Sequence, residues 1–252
     1  MPLSERDRAE VKRSAEEARE VVLQPVNPEH LARYMNPPAD TPYPLQYAFH
    51  LLGDVRGKTV LDFGCGSGEN IVPLTTRGAH VIGLDISPDL IDLARQRLAM
   101  AGLSADLRVA SAYSTGLSDE SVDVVFNIAL IHHLAIDQVL PEMSRILAKR
   151  GEIILSEPIR FSRSYAYLRS LLAKQRNISE YEHPLTRTEL ASICAPFTSK
   201  EVRYFRLPFI PLLQRIGNDG NWYWKLDRWL LSHLPILTHY ATAVVVCLTH
   251  SE

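Results

Sequence analysis

Cysteine is scarce in this chain, which has only three in 252 residues. Cys65, Cys194 and Cys247 form an odd, widely separated set, so no disulfide framework is predicted. No group of residues has the spacing of metal ligands either, and no metal is expected. A few scattered cysteines are typical of the reducing cytoplasm, which is the predicted location.

A strong net charge is also lacking, since the formal charge at pH 7 is −2. There is thus no general electrostatic case for nucleic acid, and no such partner is expected. The charge is uneven, however. Residues 158–252 hold twelve Lys and Arg against seven Asp and Glu, a net of +5, which leaves −7 for residues 1–157. The basic excess could attract an anionic small molecule or an acidic membrane surface, although a solvated helical face is the commoner explanation.

Long hydrophobic runs are missing as well. Residues 229–251 contain no Lys, Arg, Asp or Glu, which raises the question of a membrane span. His233 and His239 fall within this stretch and argue against a span, because such groups are costly in hydrocarbon. We predict that Leu226 to Leu234 form the end of a helix and that a β-branched strand follows over Ala243 to Cys247. The charged segment Ser4 to Glu20 lacks the apolar core of a signal peptide and is predicted to be an exposed helix or a frayed tail.

The most informative segment runs from Val60 to Asn70, where an apolar strand meets a glycine turn that opens a helix. Glycine permits positive φ and close approach of a ligand, and N–H groups at a helix start favour an anion. A dinucleotide-binding loop has glycine at its first, third and sixth positions, but here the sixth is Glu69. The glycines instead alternate, at positions 64, 66 and 68. This segment resembles the first motif of the class I S-adenosylmethionine-dependent methyltransferases.

Downstream residues extend the resemblance over roughly residues 58–158. A second strand, His80 to Leu84, ends in Asp85, and Ser87 predicts the start of the next helix. The resemblance implies that Asp85 holds the ribose of S-adenosyl-L-methionine. The family commonly has an acidic residue where this chain has Ser111, so the acceptor for the adenine amino group is weaker here. The full set implied for this cofactor and its product, S-adenosyl-L-homocysteine, is Tyr43, Gln46, Asp62, Gly64, Cys65, Gly66, Gly68, Asp85, Ile86, Ser111, Ala112, Asn127 and His132.

The alternation of strands and helical segments predicts an α/β fold with a doubly wound, mostly parallel sheet. The resemblance implies a Rossmann-like sheet of seven strands with the last antiparallel, which places the sixth at Val202 to Leu207 and the seventh at Ala241 to Leu248. Three regions are expected. Residues 1–57 form an N-terminal helical segment, residues 58–158 the S-adenosylmethionine-binding core, and residues 159–252 the rest of the sheet with an inserted cap.

The cap is predicted from two long intervals between strands, each with a helical pattern of its own. Long structured insertions beyond strand ends are typically lids or binding loops. We therefore expect helical cap insertions over the cofactor that shape the acceptor pocket. The alternative is that their aromatic rings only attach the cap to the sheet. The patterns are Tyr165, Leu168, Leu171 and Leu172 in the first interval, and Trp222, Trp224, Leu226, Trp229 and Leu230 in the second.

Candidate catalytic residues follow the fourth and fifth strands, at the sheet edge where ligands bind in doubly wound folds. His132 and His133 are candidate general bases, needed when the acceptor is an oxygen, a carbon or a protonated nitrogen. Only one of two adjacent side chains is expected to face the pocket. Glu157 is the next candidate, with a cap or an ion-pair partner as its alternative role. His183 could enter from the cap.

These features predict an enzyme that transfers a methyl group to an O, N or C atom of a small, partly apolar molecule. One alternative is a lipid or quinone methyltransferase at a membrane surface, suggested by the apolar run Leu207 to Leu213. Another is a non-catalytic nucleotide-binding protein, either NAD-type or cofactor-sensing. Glu69 at the sixth loop position argues against the NAD-type protein.

Overall fold

The computed structural model describes residues 5–162, 183–210, 213 and 222–250. Within them the helices are α1 (Glu5–Glu20), α2 (Pro28–Met35), α3 (Pro44–Leu51), α4 (Ile71–Thr76), α5 (Pro88–Met100), α6 (Ile136–Ile146), α7 (Arg187–Cys194) and α8 (Trp222–His233). The strands are β1 (Thr59–Phe63), β2 (His80–Asp85), β3 (Asp106–Val109), β4 (Val122–Ile128), β5 (Leu147–Pro158), β6 (Phe197–Phe205) and β7 (Ala243–His250). Short 3₁₀ turns cover Ile131–His133 and Pro235–Tyr240.

The strands form one sheet in the order β3-β2-β1-β4-β5-β7-β6. All neighbouring pairs are parallel except those of β7, which runs antiparallel between β5 and β6. The predicted α/β fold, with its antiparallel last strand, is confirmed. The chain reverses direction across the sheet at β1, which lies between β2 and β4, and a crevice for a ligand forms at such a point.

Hydrophobic side chains cover both faces of this sheet. Along β4, Val125 packs into one layer and Phe126 into the other, as the two-residue period of a strand requires. Both side chains are fully buried. Strands buried on both faces read as nearly continuous apolar runs, which is why the central strands could be found from the sequence.

Strand β6 begins five residues earlier than predicted, at Phe197 instead of Val202. Its ladder with β7 starts where Phe197 pairs with His250. Lys200 and Glu201 concealed this part of the strand because β6 lies at the edge of the sheet, where polar side chains face solvent.

Helix α1 corrects the expectation of an exposed or frayed N-terminal segment. The segment is helical, but it packs against α5, and Asp7 and Ser14 are buried. Most residues of α1 are polar or charged, so the sequence has no apolar stripe from which the packed face could be predicted.

Helix α8 covers Trp222–His233, which agrees with the helical pattern predicted from Trp222 to Leu230, and it buries Trp224, Asp227 and Leu231 on one face. The predicted division of the C-terminal segment into a helix and a strand is confirmed. None of the helices in the described ranges combines the length and the apolar character that a membrane span requires. The other predicted cap pattern, Tyr165 to Leu172, lies outside the described residues.

Candidate functional site

The glycine turn after β1 uses its glycines for different purposes. A Cβ on Gly64 would lie 2.7 Å from Leu130, and one on Gly68 would lie 2.9 Å from Cβ of Ala94. A Cβ on Gly66 would meet nothing within 4 Å, although its φ of +51° is also left-handed. Gly64 and Gly68 are therefore required by packing, whereas Gly66 keeps its surroundings open.

The backbone amides of this turn are largely paired within the protein. The N–H groups of Gly64 and Cys65 donate to the carbonyl of Leu84, at 2.8 and 2.9 Å, and that of Gly68 donates to the Cys65 carbonyl. The N–H of Gly66 donates to Oδ2 of Asp85 at 3.0 Å. The open amide cradle expected for an anion is thus absent at these four positions, where the chain supplies its own acceptors.

Asp85 joins the end of β2 to the glycine turn. Its Oδ1 accepts from the Ser87 N–H at 2.9 Å, while Oδ2 accepts from Gly66. Ser87 caps α5 as predicted, with Pro88 in the first turn. Burial raises the pKa of the Asp85 carboxyl above its ordinary value, and the hydrogen bonds from Ser87 and Gly66 oppose this. Each oxygen retains a lone pair for a further donor.

A cavity of about 160 Å³ lies between the glycine turn and α1. Ligand pockets usually have about 300 to 1,000 Å³. A nucleoside-sized ligand therefore requires α1 to move outward. The predicted residues that line the cavity are Gly64, Gly66, Asp85, Ile86, Ala112 and His133, and α1 adds Arg6, Asp7, Glu10, Arg13, Ser14 and Glu17.

His133 is the histidine that faces this cavity, as expected for only one of the pair. Its backbone carbonyl accepts from Nε of Arg6 at 2.6 Å, and its Nδ1 is 3.7 Å from Oε2 of Glu10. Burial, followed by the neighbouring His132, lowers the pKa of His133 to about 4, and Glu10 opposes the shift. The ring is therefore neutral at pH 7 and can accept a proton.

His132 and Glu157 are not among the residues that line the cavity, and they bond to each other. Nδ1 of His132 is 2.8 Å from Oε2 of Glu157. Oε1 of Glu157 accepts from the N–H groups of Leu130 and Ile131, at 3.0 and 2.9 Å. Both side chains are buried, and the His132 ring packs 4.1 Å from the ring of His133. Glu157 thereby fixes the loop that presents His133.

Several predicted cofactor residues are buried outside the cavity lining. Asp62 is 1% exposed, and burial, followed by the charge of Asp85, raises its pKa to about 8. Asn127 is fully buried, and neither of its side-chain polar atoms has a hydrogen-bond partner in the described part of the chain. Burial also raises the pKa of the Cys65 thiol. Ser111 accepts from the Tyr113 N–H at 3.3 Å and so stabilises its own turn.

Tyr43 and Gln46 lie away from the glycine turn. They line a separate groove of about 560 Å³, together with Trp224 and Trp229. The Tyr43 and Trp224 rings are 5.5 Å apart, and Oε1 of Gln46 accepts from Thr41 Oγ1 at 2.6 Å. This position separates both residues from the cavity.

His183 is also remote from the cavity. It is exposed, and its Nε2 is 3.7 Å from Oε1 of Glu189 near the start of α7.

Some residues that line the cavity were not predicted from the sequence. Arg6, Glu10 and Arg13 belong to α1, and the one available indication was a pair of small polar residues seven apart, Asp7 and Ser14. Tyr113 also lines the cavity, and its hydroxyl accepts from the Ala135 N–H at 2.8 Å.

Part of this chain is similar to known proteins. Residues 61–155 match the family model described as a methyltransferase domain. The ubiquinone biosynthesis O-methyltransferase of Brucella anthropi is 32% identical over 43% of this chain and 44% of its own length. That of Bartonella bacilliformis is 29% identical over 42% and 43%. The chain thus spans less than half the length of the curated relatives it matches.

Solved structures share the fold. A geranyl diphosphate C-methyltransferase from Streptomyces coelicolor, crystallised with Mg²⁺, geranyl diphosphate and S-adenosyl-L-homocysteine, superposes with a TM-score of 0.66 at 15% identity, and the match covers 100% of both chains. The PH0226 protein of Pyrococcus horikoshii gives a TM-score of 0.59 at 19% identity, over 94% of this chain and 99% of the other. At these identities the likeness concerns the fold.

Proposed function

We propose that this chain, which belongs to the class I S-adenosylmethionine-dependent methyltransferases through its domain at residues 61–155, methylates an O, N or C atom of a small, partly apolar molecule. The observation that carries the proposal is the cavity at which the glycine turn, Asp85 and His133 meet. The product of the cofactor would be S-adenosyl-L-homocysteine.

The residues around the cavity fit the cofactor. The two oxygens of the Asp85 carboxylate each hold one backbone N–H and have capacity left for the two hydroxyls of a ribose. Ile86 and Ala112 supply apolar walls for a flat base. Gly66 leaves space for close approach, because no side chain projects from it.

S-Adenosyl-L-methionine supplies a methyl group on a positively charged sulfur, which is already an electrophile. The protein therefore has to position the acceptor, exclude water and, for some acceptors, remove a proton. We assign proton removal to His133, because it faces the cavity and is neutral at pH 7. His132 and Glu157 are positioning residues in this proposal, since they bond to each other and to the loop.

A partly apolar acceptor is supported by the walls of the cavity. Apolar side chains predominate in the part of the cavity formed by residues 64–134, whereas the six lining residues of α1 are all polar or charged. Such a lining binds an apolar body and leaves orientation to a few polar contacts. The apolar residues are Leu84, Leu90, Leu130 and Leu134, with Tyr113.

A lipid or quinone acceptor is the second candidate, and the exposed aromatic side chains of α8 favour it. The relatives that match over part of this chain are named as ubiquinone biosynthesis enzymes. For the location we propose the cytoplasm, which the small, scattered set of three cysteines supports.

Titration calorimetry with S-adenosyl-L-methionine, S-adenosyl-L-homocysteine and NAD tests the cofactor. We expect the first two to bind and NAD not to bind. Asp85→Ala should weaken binding by at least about tenfold, or 1.4 kcal/mol. Asp92→Ala is the matched control, because Asp92 is an exposed carboxylate of α5 paired with Arg95. Binding of NAD alone would overturn the proposal.

Turnover with a panel of acceptors tests the reaction itself. Phenols, amines and a short-chain quinol precursor cover the two acceptor classes. Methyl transfer from labelled cofactor to any of them supports an enzyme, whereas cofactor binding without transfer to any acceptor favours a cofactor-sensing protein.

A further inference from the structure

The exposed large apolar side chains of this protein are concentrated in one region. Among the described residues eleven such side chains are exposed, and six of them lie between Phe209 and Tyr240. The most exposed of these six are Ile236 at 79% and Trp229 at 53%. Single exposed apolar residues are ordinary, but a contiguous group marks an interaction surface.

The exposed side chains of α8 lie on one face of the helix. Trp222, Lys225 and Trp229 are spaced three and four apart and are exposed, so they share the outer face of the helix. Trp224 and Leu231 belong to the opposite face and are buried in the core. The helix is therefore fixed on the sheet by one side and presents two tryptophans on the other.

Exposed apolar side chains continue along the chain into the 3₁₀ turn that follows α8. Leu234, Ile236 and Tyr240 are exposed there, at 43%, 79% and 41%. We call the surface formed by the outer face of α8 and this turn the aromatic face. It consists of Trp222, Lys225, Trp229, Leu234, Ile236 and Tyr240.

Among the described residues, the charged groups on and beside the aromatic face are predominantly basic. Lys225 belongs to the face, Arg228 is exposed beside it on α8, and His233 stacks on Trp229 with ring centroids 5.0 Å apart. The one acidic residue of α8, Asp227, is buried, where it accepts from the N–H groups of Arg206 and Leu207. One carboxylate from outside α8 is close to this group: Oδ2 of Asp40 is 3.6 Å from a guanidinium nitrogen of Arg228.

We infer that the aromatic face docks the protein onto the surface of an acidic phospholipid bilayer. Tryptophan and tyrosine favour the headgroup level of a membrane, and basic side chains beside them are attracted to anionic lipids. An interface with a second copy is less well matched, because the core of such an interface is depleted of charged residues. The inference concerns binding alone and does not depend on methyl transfer.

Vesicle binding tests the inference with the intact chain. We expect sedimentation with vesicles of phosphatidylcholine and phosphatidylglycerol at low salt, and much less with phosphatidylcholine alone or at high salt. All three tryptophans of the chain lie in α8, so their fluorescence reports on this helix alone. A blue shift, with quenching by brominated lipid, should accompany binding.

Two sets of variants separate the apolar and the electrostatic contributions. Trp229→Ser with Ile236→Ser should abolish the binding and the quenching. Lys225→Gln with Arg228→Gln should lower the partition coefficient by about 25-fold, since one basic residue near an anionic surface is worth about fivefold. The matched controls are Val22→Ser and Lys149→Gln, exposed residues elsewhere that should have no effect.

Absence of binding to the acidic vesicles would overturn the inference, and so would equal loss in the variants and the controls. Sedimentation velocity without lipid is the second arm. A concentration-dependent dimer that Trp229→Ser dissociates would assign the face to a second copy and also overturn it. Calorimetry with S-adenosyl-L-homocysteine on the same variants keeps this outcome separate from the cofactor proposal.

Discussion

The different roles of the glycines in the turn after β1 lead to a sharp prediction for Gly66→Ala. The φ of Gly66 is +51°, so an alanine there adopts a left-handed conformation at a cost of about 1 to 2 kcal/mol in the free energy of unfolding. A steric penalty from protein atoms should not add to this, because nothing lies within 4 Å of the new Cβ. The methyl group instead projects at the wall of a cavity of about 160 Å³.

Gly102→Ala is the matched control for this substitution. Gly102 has a φ of +65° and also has open space where a Cβ would stand, but it follows α5 and is not among the residues that line the cavity. Urea unfolding should therefore show a similar loss of stability for both variants. Calorimetry should show S-adenosyl-L-homocysteine binding at least about tenfold weaker, or 1.4 kcal/mol, for Gly66→Ala alone.

Equal affinity in the two variants would refute the reasoning, because it would show that the ligand does not approach Gly66. A loss of stability for Gly66→Ala well beyond that of Gly102→Ala would also contradict it, since the structure shows no atom for the new methyl group to displace.

Three further predictions concern the buried carboxylates and the histidine. Glu157→Ala should lower the free energy of unfolding by about 3 kcal/mol, because one buried and one partly buried backbone amide lose their acceptor. A loss below about 1 kcal/mol in urea unfolding would contradict this. Asp62, whose pKa is raised to about 8, contributes stability that is complete below about pH 4 and is lost as pH rises through 8, by about 1.4 kcal/mol per unit. Asp62→Asn should remove this slope from urea unfolding between about pH 5 and 7, and an unchanged slope would refute the assignment. Glu10→Gln removes a charge that raises the pKa of His133, so the acidic limb of the pH profile of kcat/KM should move to lower pH. An unchanged acidic limb would show that Glu10 does not act on the base.

The central strands and the start of α5 could be predicted because they depend on local sequence. Ser87 caps α5 by accepting from the Leu90 N–H, a bond three residues away along the chain. The runs that became β1, β2 and β4 are apolar because both faces of the sheet are covered.

The closure of the site by α1 could not be predicted, because it depends on contacts between distant segments. Glu10 and His133 are separated by more than a hundred residues and meet only in the folded chain. The buried residues of α1, Asp7 and Ser14, are polar, so hydrophobic periodicity could not predict which face of the helix packs against the protein.

Tyr43 and Gln46 were expected at the cofactor site because the family resemblance implies it. The structure places them in the groove beside α8. The path of the proline-rich connection before α3 depends on the residue it packs against, which is Trp224. That contact cannot be predicted from the local sequence, because Trp224 is distant along the chain.

The different roles of the three glycines were likewise outside the reach of the sequence. Gly68 is fixed by Ala94, which belongs to α5, and Gly64 by Leu130, which follows β4. Spacing alone identified the turn, whereas its contacts distinguish the glycine that faces the cavity.

A crystal structure of the chain with S-adenosyl-L-homocysteine tests the central claim most directly. We predict the ribose hydroxyls on the Asp85 carboxylate, the sulfur on the side of His133, and α1 displaced outward from its present position. Density for the nucleoside in the groove beside Tyr43, or a ribose without contact to Asp85, would contradict the account.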